Sequence, residues 1–189
     1  GIGKAHVAGY SLGGFITTHL IAKYPNRLLS AAPCGAGWVA PGDARAGEAD
    51  LIAEALESGN GITPLIEALT PAGQPKPTKE QMEPMNRMVL AMNDPLALAA
   101  VARGIKHLAV TADELKASGV AVHSIIESVD AMHAVLPSMT VTVIDGADHM
   151  NAFTNPAFIP ALKAHIAAHS PTAHTKAPSN GELTTAAAN

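Results

Sequence analysis

A glycine-rich turn near the start of the chain constrains the fold more than any other feature of the sequence. Residues 4–8 have the pattern of a short strand, which runs directly into Gly9-Tyr10-Ser11-Leu12-Gly13-Gly14. The side chains that follow at helical spacing are Phe15, Ile16, His19, Leu20, Lys23 and Tyr24. A second, mostly apolar strand follows at residues 27–34. Strand, helix and strand in this order predict a βαβ unit, and therefore an α/β protein with a parallel sheet.

The middle of the chain, residues 38–103, has short helical segments separated by proline and glycine turns, and we expect a helical insertion there. One segment carries a stripe at intervals of three and four residues, formed by Met82, Met85, Met88, Val89 and Met92. Such a stripe ordinarily faces the protein core. Alternatively, these adaptable side chains line an apolar substrate pocket under a lid.

The last third of the chain returns to alternating strands and helices. We predict a helix at 112–117 and strands at 120–127 and 139–144, both followed by polar residues. Asn155 and Pro156 predict the N-cap and first turn of a final helix, with one apolar face formed by Phe158, Ile159, Leu162 and Ile166. From residue 170 onward large apolar residues are almost absent, so we expect one domain over 1–169 and a disordered tail over 170–189.

The turn at residues 9–13 matches G-x-S-x-G, a sharp bend that holds a serine in a strained conformation above the sheet. Gly9 and Gly13 are expected to leave room for the bend, and Gly14 to let the helix approach the strands. Ser11 is therefore the candidate nucleophile. The N–H of Leu12, at the helix start, is the candidate donor to an oxyanion. An ordinary glycine-rich turn can share this spacing, but its place between a strand and a helix favours the catalytic interpretation.

A nucleophilic serine needs a base, and in this arrangement the base comes from the loop after the last strand. His149 occupies that position among nine histidines. His165 and His169 have the i, i+4 spacing of metal ligands, but no Glu follows His165, so we expect a solvated helix face. The other histidines considered are expected to pack or to face solvent: His6, His107, His123 and His133.

The third catalytic group should be a carboxylate that lies between the serine and the histidine in the chain. Asp130, just after a predicted strand, fits this order best. Asp148 precedes the histidine directly and should point away from its ring. Asp145 and Glu127 are further alternatives in less favourable places.

Composition and motifs exclude several classes of function. The net charge is −4 and the twelve Lys and Arg residues are scattered, which argues against a nucleic-acid or anionic-membrane partner. Cys34 is the only cysteine, and no apolar run reaches the length of a bilayer span. Gly1-Ile2-Gly3-Lys4 ends like a phosphate-binding loop, but Ala5 replaces the required Ser or Thr. We expect a soluble protein without cofactor or metal; its compartment stays open, with the cytoplasm as default.

These features resemble the α/β-hydrolase superfamily, in its branch of esterase-like and lipase-like enzymes. The resemblance runs from His6 to about His169 and rests on residues 6–14, on Tyr24-Pro25-Asn26-Arg27, on residues 120–130 and on Gly146-Ala147-Asp148-His149. It implies a parallel sheet with helices on both faces, a helical lid over 38–103 and a triad of Ser11, Asp130 and His149, with Leu12 as oxyanion donor. The first strands of the family have no counterpart here. We therefore expect the C-terminal part of such a domain, poorly soluble and nearly inactive when expressed alone.

The resemblance implies a serine hydrolase that cleaves a carboxylic ester or related acyl bond of a small, apolar substrate through an acyl-enzyme. A serine in the turn argues against the dehalogenase and epoxide-hydrolase branches, which carry Asp there. Acyl transfer and carbon–carbon bond hydrolysis use the same triad and remain alternatives. So does a non-catalytic, hydrolase-like binding protein.

Overall fold

The computed structural model describes residues 1–43, 45–70, 73–126 and 131–171. Strand β1 (Ala5–Tyr10) pairs in parallel with β2 (Leu28–Cys34), and β3 (His123–Ile126) pairs in parallel with β4 (Thr140–Val143). A parallel bridge between Ala31 and Val122, and a hydrogen bond of 2.9 Å from the Gly35 N–H to the Ile125 carbonyl, join β2 to β3. The strands therefore follow the order β1-β2-β3-β4, and the predicted parallel pairing is confirmed.

The described helices are α1 (Leu12–Lys23), α2 (Arg45–Glu57), α3 (Thr63–Leu69), α4 (Lys79–Met92), α5 (Pro95–Gly104), α6 (Ala112–Ala117), α7 (Ala131–Val135) and α8 (Phe158–His169). Short 3-10 turns lie at Pro25–Arg27, Ile105–Leu108 and Ala152–Thr154. The expectation of helices without strands between residues 38 and 103 agrees with α2 to α5. Helix α6 has the predicted bounds.

Helices cover both faces of the sheet. On β2, Ala31 packs in one apolar cluster with Ile21 of α1, whereas the next residue, Ala32, packs in another cluster with Phe158 of α8. Consecutive strand residues point to opposite faces, so α1 and α8 lie on opposite sides. Helices α2 and α5 share a third cluster, formed by Ala53, Leu56, Ala99 and Ala102.

Helix α1 meets the sheet through a face of mostly small residues. Its buried residues are Gly14, Thr17, Thr18 and Ile21, whereas two of the side chains noted at helical spacing, Ile16 and Tyr24, are 44% and 55% exposed. The reason is the close approach of helix and strand: a Cβ on Gly14 would lie 2.9 Å from the Cys34 carbonyl oxygen. Small residues fit this contact, and the Thr17 and Thr18 hydroxyls donate to helix carbonyls four residues earlier.

The methionine stripe of α4 faces the core only in part, with Met85 and Val89 half-buried. Met82 is buried, but Met88 is 55% exposed and Met92 is 76% exposed. Helix α4 thus turns much of this stripe to solvent. Instead, the apolar residues that share a cavity with Ser11 come mainly from α2 and α3.

The final helix differs from its prediction in two ways. It begins at Phe158 rather than near Pro156, and the Asn155 side chain accepts the Ala157 N–H at 2.9 Å in the turn before it. His165 is buried rather than solvated, because its ring stacks on His123 at a centroid distance of 5.3 Å, and Ile159 is exposed instead. Of the predicted tail, residues 172–189 lie outside the described residues.

Within the described ranges, no single helix is long and apolar enough to cross a membrane. Helices Lys79–Met92 and Pro95–Leu108 pass this test of length and composition only as a pair, bent by 98°.

Candidate active site

Ser11 joins β1 to α1 in a strained backbone conformation. Its φ of 55° is the only positive value found at a non-glycine residue in the described part of the chain. The Ser11 N–H donates to the Cys34 carbonyl at 3.0 Å, and the Ser11 carbonyl accepts the N–H groups of Gly14 and Phe15 at 2.8 and 3.3 Å. Backbone bonds to β2 and α1 therefore fix this conformation from both sides.

Gly9 is the glycine that makes the turn sterically possible. A Cβ on Gly9 would lie 2.1 Å from the Gly13 carbonyl oxygen and 2.7 Å from the Thr17 hydroxyl oxygen. A Cβ on Gly13 would meet nothing within 4 Å. The expectation that Gly13 leaves room through its missing side chain is therefore wrong, since it is its carbonyl that occupies the space beside Gly9.

The loop after β4 brings His149 to the serine. The His149 Nε2 lies 2.9 Å from the Ser11 Oγ, although 138 residues separate the two in sequence. As the N-cap residue of α1, Ser11 makes no side-chain capping bond, so its hydroxyl points to the imidazole rather than to the helix. The structure thus brings together the two side chains that the sequence singled out.

Tyr10 holds the loop of His149, and sequence reasoning missed it. Its hydroxyl donates to the His149 carbonyl oxygen at 2.8 Å, and the two rings lie 5.1 Å apart. The same ring packs against Phe153 and Phe158 at 5.4 and 5.8 Å. The available signal was an aromatic residue directly before the serine, which is not specific.

Leu12 is the first residue of α1, so its N–H has no intrahelical acceptor. It follows the serine directly, at the helix end where aligned peptide dipoles favour negative charge. This is the expected position of a donor to an oxyanion that forms at Ser11.

Two adjoining cavities meet at His149 and Leu69. The first has a volume of about 260 Å³ and contains Ser11 and the carboxylate of Glu48. Its walls are mainly apolar and are formed by Phe15, Ile52, Leu65, Ala68 and Ile105. The second, of about 560 Å³, contains Lys76, Gln74, Gln81, Thr70 and Asp148. The second cavity also has apolar walls, from Ile66, Pro75, Pro77 and Met150, so the two sides of the histidine differ in size and in the charged groups they carry.

No protein-family model and no curated protein sequence matches the chain. Solved structures do match. A thermophilic esterase from Thermogutta terrifontis superimposes with a TM-score of 0.67 at 21% identity, covering 89% of this chain and 66% of that one. An acetylester hydrolase from Corynebacterium glutamicum superimposes with a TM-score of 0.64 at 18% identity, covering 89% of this chain and 62% of that one. An alpha/beta hydrolase from a Medee basin deep-sea metagenome library superimposes with a TM-score of 0.64 at 14% identity, covering 93% of this chain and 69% of that one. The chain has the α/β-hydrolase fold.

The expectation of an α/β-hydrolase fold is thereby confirmed. The chain spans 66% of the length of the esterase and 62% of the length of the acetylester hydrolase, slightly less than two thirds of each.

The carboxylate candidates have different positions in the α/β-hydrolase fold. Asp130 and Glu127 lie outside the described residues, between the end of β3 at Ile126 and the start of α7. The Asp148 side chain accepts the N–H groups of Met150 and Asn151 at 2.9 and 3.1 Å. It is thus engaged by the backbone of its own loop. Asp145 is exposed in the turn after β4.

Further titratable groups lie outside this site. Burial raises the pKa of the Cys34 thiol to about 11, so this cysteine stays protonated at neutral pH. His165 and His169 lie on α8 with ring centroids 4.6 Å apart. The described residues contain no group of three or more His, Cys, Asp or Glu side chains arranged to hold a metal ion.

Proposed function

We propose that this chain carries the nucleophile and general base of a serine hydrolase that cleaves a carboxylic ester. The observation that carries the proposal is the 2.9 Å contact between the His149 Nε2 and the Oγ of a serine with a φ of 55°. A base within hydrogen-bond reach of a hydroxyl on a strained turn is the arrangement that nucleophilic acyl chemistry needs. The matched structures named as an esterase and an acetylester hydrolase support the choice of ester.

The reaction begins when the Ser11 Oγ attacks the carbonyl carbon of the ester and its proton moves to the His149 Nε2. The carbonyl oxygen becomes an oxyanion that accepts a hydrogen bond from the Leu12 N–H. Collapse of this intermediate breaks the bond to the alcohol oxygen, which takes the proton from His149. Ser11 is left as an ester of the acyl group.

Water completes the cycle. His149 removes a proton from a water molecule, whose oxygen attacks the acyl carbon, and the proton then returns to the Ser11 Oγ as the acid leaves. For this, the Nε2 must be unprotonated and the Nδ1 must carry the hydrogen. We assign Asp130 as the carboxylate that accepts the Nδ1 hydrogen, because Asp148 is engaged by the backbone of its own loop.

The position of β3 supports this assignment of Asp130. The Ile125 carbonyl accepts the Gly35 N–H at 2.9 Å, and a Cβ on Gly35 would lie 2.6 Å from the Tyr10 ring, which packs on His149. The end of β3 is therefore close to the imidazole. Asp130 follows that strand end by four residues, directly before α7.

A fluorophosphonate probe tests the proposal, because it forms a covalent bond only with an activated serine. We expect one probe per wild-type chain by intact mass, no labelling of Ser11→Ala, and loss of p-nitrophenyl butanoate hydrolysis in the same variant. Ser138→Ala is the matched control at an exposed serine and should label like the wild type. Labelling that persists in Ser11→Ala would contradict the assignment. A folded wild type that neither labels nor hydrolyses would indicate a binding protein.

A further inference from the structure

We propose that the preferred substrate is an ester whose acyl part is short and uncharged and whose alcohol part carries an anionic group, bound at Lys76. The inference rests on the proposed function and adds the orientation and charge of its substrate. Its basis is the pair of cavities that meet at His149, one with the carboxylate of Glu48 and the other with the ammonium of Lys76.

The order in which the ester bonds form and break determines which part of the substrate lies in which cavity. The acyl group stays bonded to Ser11 in the acyl-enzyme, so it must lie in the cavity that contains Ser11. The alcohol oxygen takes its proton from His149 and leaves. It therefore extends into the second cavity, which His149 lines and Ser11 does not.

The first cavity suits a short, neutral acyl group. Its volume of about 260 Å³ exceeds the roughly 150 Å³ that accommodates a benzene-sized group, but leaves little room beyond that. Its walls are mainly apolar, with Leu65 and Ile52 among the lining side chains. Glu48, in the first turn of α2, adds a negative charge. Glu48 is itself solvent-exposed, so water partly screens its repulsion of an acyl group that ends in a carboxylate, and the apolar walls add the cost of desolvating that carboxylate.

The second cavity suits an anionic leaving group. It is about twice as large. Its described lining includes Lys76 as the cation and Asp148 as an anion, with amide, hydroxyl and apolar side chains around them. The Lys76 Nζ contacts the Glu67 carboxylate at 3.2 Å, but both side chains are solvent-accessible, at 65% and 38%. Such an exposed pair is weak, and an ammonium has three donors, so a ligand can share it. The negative charge of Asp148 is stabilised by two backbone N–H groups of its own loop.

Three phenyl esters separate the two halves of the proposal. Phenyl butanoate is neutral, 4-carboxyphenyl butanoate has a carboxylate on the leaving group, and phenyl hemisuccinate has one on the acyl part. In each protein, the specificity constant kcat/KM for a charged ester is divided by the constant for phenyl butanoate. We expect Lys76→Met to lower the ratio for the carboxyphenyl ester by about fivefold, and Glu48→Gln to raise the ratio for the hemisuccinate by about threefold. Comparing ratios between variants removes the intrinsic reactivity of each ester.

Matched controls use charges of the same type outside both cavities. Lys163→Met on α8 and Glu54→Gln on α2 replace exposed residues and should leave both ratios at their wild-type values. Hydrolysis of phenyl butanoate and fluorophosphonate labelling report on the proposed function, whereas the ratios report on the charge of the substrate. Normal hydrolysis with unchanged ratios would therefore overturn this inference alone.

Binding of a product analogue decides the question without turnover. The analogue is 4-hydroxybenzoate, and its dissociation constant is measured by calorimetry. We expect this constant to be about threefold or more higher in Lys76→Met than in wild type and in Lys163→Met. Equal affinity in all three proteins would overturn the assignment of Lys76.

Discussion

The Tyr10 hydroxyl donates a hydrogen bond of 2.8 Å to the main-chain carbonyl of His149, across 139 residues of sequence. Tyr10 is the last residue of β1 and directly precedes Ser11. One strand end therefore positions both partners of the proposed proton transfer: the serine through the backbone, and the histidine through this hydrogen bond. The 5.1 Å contact between the two rings fixes the imidazole from the side.

Tyr10→Phe tests this role as a positioning residue. Phenylalanine keeps the ring contacts with Phe153 and Phe158 but removes the donor to the His149 carbonyl. We expect kcat to fall by about five- to tenfold with a smaller change in KM, because misplacing the base weakens a transition-state interaction. The free energy of unfolding should fall by about 1 kcal/mol.

Tyr24→Phe is the control for Tyr10→Phe. Tyr24 ends α1 and is 55% exposed, so the loss of its hydroxyl should change neither kcat nor stability measurably. A wild-type kcat in Tyr10→Phe would show that the loop of His149 keeps its place without the hydrogen bond.

Gly9→Ala and Gly13→Ala form a second matched pair, compared by urea unfolding. The added methyl at Gly9 would lie 2.1 Å from a backbone carbonyl oxygen that cannot rotate away, whereas the methyl at Gly13 meets open space. We expect Gly9→Ala to lower the free energy of unfolding by about 3 kcal/mol or more, at or beyond the upper range for overpacking. Gly13→Ala lies in the first turn of α1 and should be neutral or slightly stabilising. Equal destabilisation by both changes would contradict the close approach of Gly9 to the Gly13 carbonyl.

Local sequence signals were sufficient for the elements on which the site depends. The turn at Ser11 and helix α6 both depend on residues that interact within a few positions of each other. In α6, for example, the Thr111 hydroxyl accepts the Glu114 N–H while the Glu114 carboxylate accepts the Thr111 N–H. Such reciprocal capping depends only on spacing, so sequence alone can reveal it.

Contacts between distant segments account for what the sequence did not reveal. The buried face of α1 is set by the approach of Gly14 to Cys34, which no periodicity of apolar residues encodes. His165 is buried because His123 of β3 provides a stacking partner 42 positions earlier in the chain. Tyr10 acquires its role from a carbonyl in a loop 139 residues away.

Asp130→Asn tests the proposed acid. If Asp130 accepts the Nδ1 hydrogen of His149, the amide will favour the wrong tautomer, and we expect kcat for p-nitrophenyl butanoate to fall by about three to four orders of magnitude with little change in stability. Asp148→Asn is the control, since its amide oxygen can still accept the N–H groups of Met150 and Asn151. Its kcat should stay within about threefold of wild type. The reverse result, a large loss in Asp148→Asn alone, would move the acid to Asp148.

The stacked histidines of β3 and α8 predict a pH dependence of stability that is separate from catalysis. Burial, together with the charge that His169 and His123 acquire on protonation, lowers the pKa of His165 to about 4. Burial also lowers the pKa of His123. In the unfolded chain a histidine titrates at about 6.5, so between pH 6.5 and 4 the unfolded state binds a proton that the folded state does not. The free energy of unfolding therefore falls as the pH drops through this window and levels off below it.

His165→Phe removes this titration while keeping a ring that can stack on His123. Titration of His165 changes the free energy of unfolding by at most about 1.4 kcal/mol per pH unit. Between pH 6.5 and 4 the change is on the order of 3 kcal/mol. We expect urea unfolding of His165→Phe to show a shallower decline from pH 6.5 to 4, with His123 contributing the remainder. The variant should therefore gain stability relative to wild type at pH 5 compared with pH 7.5. His107→Gln, at an exposed histidine, should keep the wild-type profile. A difference between His165→Phe and wild type that is the same at both pH values would show that His165 titrates normally in the folded protein, and that its burial between α8 and β3 is not as tight as the contacts indicate.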